Sequence, residues 1–253
     1  MDDGAWAPSV TTPDELRQAI EWKWATGGAN GIDVVFAPEW ADTLGHPILC
    51  TPEFVTGPHL AALREEVQQG KKINGLFLWS RLTVGGLVAL PGELRSIAPR
   101  NIHLRNSGCA LEIANALSRN VPIRAVRIES EMMDSNVCAC LMNSLWKNTT
   151  TEVFYIEGCA LDSTAMSTLG TALKSNRTLL YLGIDGCILT YNAVSVLEEM
   201  LWKNPCLETM SIRNAIAPAD AGSNLARVWE ETGRNKRNFR FTLACPPPAA
   251  GYQ

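Results

Sequence analysis

The feature that most constrains this chain is an asparagine that recurs every 28 residues between positions 120 and 204. The four copies are Asn120, Asn148, Asn176 and Asn204. Three apolar columns keep the same spacing: Leu117, Leu145, Leu173 and Leu201; Ile113, Leu141, Leu169 and Leu197; and Ile128, Ile156, Ile184 and Ile212. Four columns in one register predict an internal repeat over residues 111–213.

The spacing of apolar residues changes within each repeat unit. Leu169 and Leu173 lie four residues apart, which is typical of one face of a helix. Leu182 and Ile184 lie two residues apart, which is typical of a strand. A short helix and a short strand cannot bury their apolar faces alone, but stacked copies can. The pattern therefore predicts an α/β solenoid.

Residues 173–189, Leu-Lys-Ser-Asn-Arg-Thr-Leu-Leu-Tyr-Leu-Gly-Ile-Asp-Gly-Cys-Ile-Leu, resemble the ribonuclease-inhibitor-like class of leucine-rich repeat. The resemblance is strong over residues 111–213 and loose over 60–243. It implies a horseshoe of about seven coils, with parallel strands on the concave face and helices on the convex face. It also implies a role in binding other proteins.

Three segments are expected along the chain. They are an N-terminal helical cap with a Pro-rich insertion over residues 1–58, the leucine-rich-repeat solenoid over 59–243, and a Pro-rich C-terminal tail over 244–253. Two interpretations of the insertion at 37–58 stay open, because a long loop can bind a partner or can shield the apolar surface of the cap.

Capping residues and prolines predict where one helix begins and where others are interrupted. Thr12 is placed to cap a helix, with Pro13 at its first position and Glu15 completing a capping box. Farther along, Pro91 and Pro99 predict short turns in place of full helices, because proline removes a helical hydrogen bond.

Composition narrows the classes of function. A net charge of −4 argues against a general nucleic-acid binder, which needs a basic surface. No apolar run reaches the ~20 residues that span a bilayer. The opening Met-Asp-Asp-Gly does not match a secretory signal. We expect a soluble intracellular protein, cytoplasmic by default, without membrane insertion.

The eight cysteines do not predict disulfides or a metal site. Cys159 and Cys187 each follow a strand isoleucine by three residues, a turn position where a free thiol is expected to be buried. Cys138 and Cys140 are expected on opposite faces of a helix. No pair has Cys-x-x-Cys spacing, and none of the three histidines lies in a catalytic motif. We expect no enzymatic activity, no metal and no cofactor.

The register also predicts which strand residues face a partner, because neighbours of buried strand residues point the opposite way. We call the following eleven residues the strand strip: Phe77, Trp79, His103, Arg105, Arg127, Glu129, Tyr155, Glu157, Tyr181, Asp185 and Arg213. Ser211 and Arg240 point the same way. Aromatic and charged groups of this kind supply binding hot spots. Alternatively, these positions are polar only because they face water.

These observations predict a protein-interaction module, either an adaptor or a structural subunit of a larger assembly, whose protein partner the sequence does not identify. The alternative is a GTPase-activating or other regulatory leucine-rich-repeat protein, with Arg105 or Arg213 as generic candidates for an active-site arginine. A second surface is also open to two interpretations. Trp146 and Trp202 occupy one helix column, where they form a docking patch or cover neighbouring side chains.

Overall fold

The computed structural model describes residues 10–27, 30–37, 48–105, 107–129, 133–158 and 161–244. These residues form nine parallel strands and eight α-helices, which alternate along most of the chain. The α/β class and the repetition of strand–helix units are thereby confirmed, as expected for a repeat solenoid. Residues 38–47 of the predicted Pro-rich insertion, Cys159 and nearly all of the predicted tail lie outside the described residues.

The chain divides into two compact units, Met1–Val126 and Arg127–Gln253. The first unit contains α1 (Pro13–Ala25), β1 (Ile32–Phe36), β2 (Ile48–Cys50), α2 (Gly57–Gln68), β3 (Ile73–Leu78), α3 (Val84–Ile97), β4 (Asn101–Leu104) and α4 (Ala110–Ser118). Its strands lie in the order β2-β1-β3-β4. Strand β5 (Ala125–Glu129) spans the division between the units.

The predicted start of α1 is confirmed. The Thr12 hydroxyl accepts a hydrogen bond from the Glu15 amide at 3.2 Å, and the Glu15 carboxylate accepts one from the Thr12 amide at 2.9 Å. Hydrogen bonds from the backbone amides of Thr11 and Thr12 lower the pKa of Glu15 to about 2. Leu16 and Ile20 are the buried residues on the inner face of this helix.

Strand β2 comes from the predicted insertion and covers the outer edge of β1. The two strands are parallel, with Val34 beside Ile48 and Phe36 beside Cys50. Val10 bridges Cys50 in turn, and its carbonyl accepts a hydrogen bond from Thr51 at 2.8 Å. For β2, these contacts support the interpretation of the insertion as a shield of the N-terminal edge.

The prediction of short turns around Pro91 was wrong for α3, which runs for 14 residues with Pro91 inside it. A proline in a helix forfeits one backbone hydrogen bond, at a cost of roughly 3 kcal/mol. The helix nevertheless continues, because Leu90, Leu94 and Ile97 are buried on its inner face. Their burial is worth several kcal/mol in total and outweighs the proline.

The second unit carries the regular repeats. It contains α5 (Ser135–Ser144), β6 (Val153–Glu157), α6 (Ser163–Ser175), β7 (Tyr181–Asp185), α7 (Tyr191–Lys203), β8 (Thr209–Ala215), α8 (Ala221–Glu231) and β9 (Phe239–Leu243). The strands lie in the order β6-β7-β8-β9, and each helix packs on the next. The predicted apolar columns form the core. Cys187 is buried, as predicted, and Cys138 is buried while Cys140 is exposed, as expected for opposite faces of a helix.

The asparagine column is a ladder of buried side chains that joins successive coils. The Asn176 amide nitrogen donates to the carbonyls of Leu145 at 2.7 Å and Asn148 at 3.0 Å. The Asn204 amide nitrogen donates to the equivalent carbonyls one repeat later, those of Leu173 at 2.6 Å and Asn176 at 3.3 Å. The 28-residue spacing therefore marks a repeated hydrogen-bonding role.

Asn120 departs from this column, so the prediction that all four asparagines are equivalent was wrong. Its φ is 56° and its side chain is exposed. Asparagine tolerates this left-handed conformation because its short polar side chain bonds locally. The shared spacing of Asn120 therefore does not give it the buried environment of Asn148, Asn176 and Asn204.

Replacing Leu173 with alanine is expected to lower the free energy of unfolding by about 3 kcal/mol, because the side chain is fully buried and its removal leaves a cavity. The matched change is Tyr181→Ala on the next strand, where the half-buried ring leaves less empty space. Urea unfolding of both variants measures the difference. A larger loss from Tyr181→Ala would show that the two faces are assigned backwards.

Candidate protein-interaction surface

The first-unit part of the strand strip lies at the carboxyl ends of β3 and β4. Phe77 is within β3, and Trp79 follows it directly, with its amide donating to the Phe36 carbonyl at 2.8 Å. His103 is beside Phe77 on β4, and Arg105 follows that strand. The intervening leucines are buried, so the predicted alternation between core and strip is confirmed here.

These four side chains form one contact group, which we call the aromatic cluster. Ring centroids are 6.1 Å apart for Phe77 and Trp79, 5.8 Å for Phe77 and His103, and 5.5 Å for Trp79 and His103. The rings meet edge to face, the preferred geometry for aromatic pairs. The Arg105 guanidinium lies 3.9 Å from the Trp79 ring centroid, within range of a cation–π interaction.

The Trp79 indole nitrogen is buried and has no hydrogen-bond partner among the described residues. Phe77, Trp79 and His103 are each partly buried, whereas Arg105 is exposed. A buried donor without an acceptor costs roughly 1–3 kcal/mol. The cluster therefore presents partly accessible aromatic rings beside an exposed guanidinium.

The second-unit part of the strip is organised around Asp185. One carboxylate oxygen accepts hydrogen bonds from the Arg213 amide at 2.9 Å and the Ser211 hydroxyl at 3.1 Å. The other accepts from Arg213 Nε at 2.6 Å. Asp185 is only 2% exposed, and these charge-assisted bonds offset the cost of burying its carboxylate. Asp185 therefore fixes the position of Arg213.

Tyr155 lies between two carboxylates. Its hydroxyl is 2.9 Å from Glu157 Oε2 and 3.1 Å from Asp185 Oδ2, and its single proton can be donated to only one of them at a time. Burial raises the pKa of the Tyr155 phenol well above its usual value, and hydrogen bonding and repulsion from the two acids raise it further. The phenol therefore stays protonated throughout the neutral range.

The expected exposure of Tyr155 and Asp185 was wrong, because Tyr155 is 7% exposed and Asp185 is buried. Gly183, beside Tyr155 on β7, makes room for the ring: a Cβ there would lie 2.2 Å from Tyr155 Cδ2. Arg127 covers the ring from the other side, 4.4 Å from its centroid. Gly183 was not predicted as part of the strip, although a glycine within a strand is a signal of close approach.

Arg127 connects the remaining acids. Its Nε donates to Glu129 Oε1 at 2.6 Å, and its Nη2 lies 3.5 Å from Glu157 Oε2. We define the ionic cluster as Arg127, Glu129, Tyr155, Glu157, Asp185, Ser211 and Arg213. Tyr181 is half buried at the start of β7, and none of the described side-chain contacts joins it to this cluster. The structure thus brings together six of the seven predicted second-unit residues.

On the helices, Trp146 is 48% exposed and Trp202 is 56% exposed. Trp146 lines a shallow cavity of about 280 Å³ together with Asn143 of α5 and Thr171 of α6. Trp202 does not line that cavity. Trp146 and Trp202 therefore occupy the same position of the sequence repeat but do not line the same cavity.

No family model matches the chain, and no curated protein matches it significantly. One similar solved structure is "Leiomodin-1 Actin-Binding Site 2 (ABS2)", with 19% identity and a TM-score of 0.44 over 47% of this chain and 72% of that chain. Within the described ranges, no helix combines the length and apolarity needed to cross a membrane. The chain is an α/β protein of repeating strand–helix units with parallel strands.

Proposed function

We propose that this chain is a non-catalytic protein-interaction module of the leucine-rich-repeat kind, working as an adaptor or as a structural subunit of an assembly. Its partner is a protein that binds along the strand strip, which the proposal treats as the concave face of a solenoid. The repeated strand–helix units and the parallel strands support the class. The observation that carries the binding role is the aromatic cluster.

The aromatic cluster has the properties of a binding hot spot. Tryptophan and arginine are the residue types enriched at such sites, and here Arg105 already packs on Trp79. Because the rings hold one another in place, a partner orders few additional side chains when it binds.

The ionic cluster contributes specificity more than contact area. Both carboxylate oxygens of Asp185 already accept hydrogen bonds from Arg213. The side chains of Arg127 and Glu157, in contrast, are 47% and 43% exposed and accessible to a partner. Charges fixed in this way favour a partner of complementary charge and reject others. The proposed partner therefore presents acidic or acceptor groups to the aromatic cluster and basic groups to Glu129 and Glu157.

The test is affinity capture from the source cell with Arg105→Glu, which reverses the exposed charge beside Trp79. We expect the partner retained by the wild type to be lost, with affinity reduced at least tenfold, or ~1.4 kcal/mol. The matched control is Trp202→Ala, an equally drastic change on an exposed helix residue, which should retain the partner.

Unfolding curves of both variants must match the wild type, so that loss of binding reports the surface and not the fold. If Arg105→Glu retains every partner and Trp202→Ala loses one, the helix face is the working surface and the proposal fails. The GTPase-activating alternative has less support, because the Arg213 guanidinium is held in an ion pair with Asp185.

A further inference from the structure

Strand β9 is the terminal strand of the second unit. It pairs with β8 on one side, where Ser211 lies beside Arg240 and Ile212 beside Phe241. Within the part of the chain that the structure describes, β9 has no strand neighbour on its other side. Backbone groups of a strand alternate between its two edges, so this outer edge carries donors and acceptors that can pair with another strand.

The outer edge of β1 in the first unit, unlike that of β9 in the described part of the chain, is covered by other backbone segments. There β2 pairs with β1, and Val10 bridges β2 in turn, so successive backbone segments shield that edge. Proteins that leave a strand edge open commonly blunt it with proline, inward charge or a bulge to prevent pairing. The sequence of β9, Phe-Arg-Phe-Thr-Leu, contains no proline and places no charge on its apolar face. The irregularity in its pairing with β8 lies between Ile212 and Ala215 of β8, on the side away from the outer edge.

The side chains of β9 are sorted by face. Phe241 lies against Gly222 of α8, where an added Cβ would be 2.6 Å from the ring, and the Phe239 ring is 5.6 Å from that of Trp229. Leu243 shares the parity of these two phenylalanines and is 46% exposed. Arg240 and Thr242 point to the opposite face. The strand is therefore apolar on the α8 side and polar on the other.

An open groove of about 350 Å³ runs between α8 and β9. It is lined by Gly222, Ala226, Trp229, Glu230, Lys236, Phe239 and Phe241. The floor is aromatic and aliphatic, while Glu230 and Lys236 form an ion pair of 2.9 Å with largely solvated side chains. A neighbour that extends the sheet beyond β9 would cover this groove with its own apolar face.

We propose that the occupant of this edge is a second copy of the same chain, paired β9 to β9 in antiparallel orientation about a two-fold axis at Phe241. In this register Phe241 is opposite its own copy, Phe239 is opposite Leu243, and Arg240 is opposite Thr242. Apolar residues thus meet apolar residues, and no like charges are opposed. The sequence of β9 is self-complementary, as a two-fold interface requires.

The pairing is expected to be weak. A five-residue strand pair and one groove per copy bury less than the ~1,600 Å² of a standard interface. The dimer should therefore form with increasing concentration in the micromolar range and dissociate on dilution. This self-association goes beyond the proposed partner binding, because β9 contributes none of the eleven strand-strip residues.

The first test is sedimentation velocity of the full chain over a range of micromolar concentrations. We expect a monomer–dimer equilibrium that Leu243→Lys abolishes, because it places a charge opposite Phe239 of the second copy. The matched control is Ile188→Lys, a residue of the same unit with almost the same exposure, 47% against 46% for Leu243, but away from β9. A monomer at every concentration, or a dimer that survives Leu243→Lys, would overturn the proposal.

The second test checks the register. Directly opposed residues in an antiparallel pair have Cα atoms about 4.5–5.5 Å apart, within the range that a disulfide bridges. Mixing the Arg240→Cys and Thr242→Cys variants with diamide as oxidant should therefore link 240 of one copy to 242 of the other, identified by mass spectrometry. The wild type treated in the same way is the control. A dimer that does not form this link would contradict the proposed pairing.

Discussion

Replacing Asn176 with alanine is expected to lower the free energy of unfolding by about 5 kcal/mol, because it removes four hydrogen bonds at once. The amide nitrogen donates to the carbonyls of Leu145 and Asn148, and the side-chain oxygen accepts from the amides of Thr178 at 2.9 Å and Leu179 at 2.8 Å. Asn176 is buried, so groups left without partners pay their desolvation cost. Alanine supplies neither donor nor acceptor.

Urea unfolding followed by circular dichroism measures this loss, which is a large part of the ~5–15 kcal/mol that stabilises a typical domain. The matched control is Asn120→Gly, in the same sequence column but exposed and left-handed, where glycine keeps the backbone conformation. It should change stability by less than about 1 kcal/mol. Asn176→Asp should lose at least as much as Asn176→Ala, because it places a buried carboxylate oxygen against the carbonyl oxygens of Leu145 and Asn148. Equal losses at Asn176 and Asn120 would refute the buried ladder.

Much of the second unit could be predicted from the sequence because its repeats are regular. Asparagine offers a donor and an acceptor on one short side chain, so a buried asparagine that bonds two coils recurs wherever the coils recur. The spacing predicted that Asn148, Asn176 and Asn204 occupy one repeat position, and the structure adds the hydrogen bonds that explain it. Asn120 shows the limit. The interval from Leu104 to Ile128 is 24 residues, and this shorter coil was the signal that Asn120 need not follow the others.

The helix α3 could not be predicted because two local signals opposed a tertiary one. Pro91 and the neighbouring Gly92 lie inside it, and each weakens a helix considered alone. The burial of Leu90 and Leu94 against the rest of the first unit decides the outcome. That burial depends on packing between elements, which local propensity does not contain.

The strand register predicted which side chains leave the core but not which of them reach solvent. Tyr155 points away from the core, as the alternation requires, yet it is covered by residues of neighbouring strands. Gly183 lets the ring lie over β7, and Arg127 covers its other side. Gly183 and Arg127 each lie 28 positions from Tyr155 in the chain. Their contacts with Tyr155 therefore depend on how neighbouring strands pair, which the two-residue alternation within a single strand does not reveal. Trp79, by contrast, is only partly buried.

Arg234 occupies the place where the next asparagine of the ladder would act. Its Nη1 donates to the Leu201 carbonyl at 2.9 Å, its Nε donates to the Leu207 carbonyl at 2.8 Å, and its Nη2 donates to the Asn204 carbonyl. The carbonyls of Leu201 and Asn204 are the ones that a further repeat unit would present to its asparagine. The guanidinium also lies 5.2 Å from the Trp229 ring centroid. The arginine therefore terminates the ladder from the side of α8.

Arg234→Ala is expected to lower the free energy of unfolding by about 4 kcal/mol, because three carbonyls and one cation–π contact lose their partner together. Arg234→Lys should recover little of this loss, since an ammonium group lacks the planar fork that reaches several carbonyls at once. Urea unfolding with Arg227→Ala as control measures the effect. Arg227 pairs with Glu231 on the exposed side of α8, and surface pairs of that kind contribute little.

Burial lowers the pKa of Arg234, which shows that its charge is held in place against a desolvation cost. The three carbonyl oxygens offset that cost only while the guanidinium is oriented toward all of them. Full rescue by lysine would therefore mean that charge alone stabilises the end of the unit. An alanine variant as stable as the Arg227→Ala control would mean that the ladder ends at Asn204 without a terminating side chain.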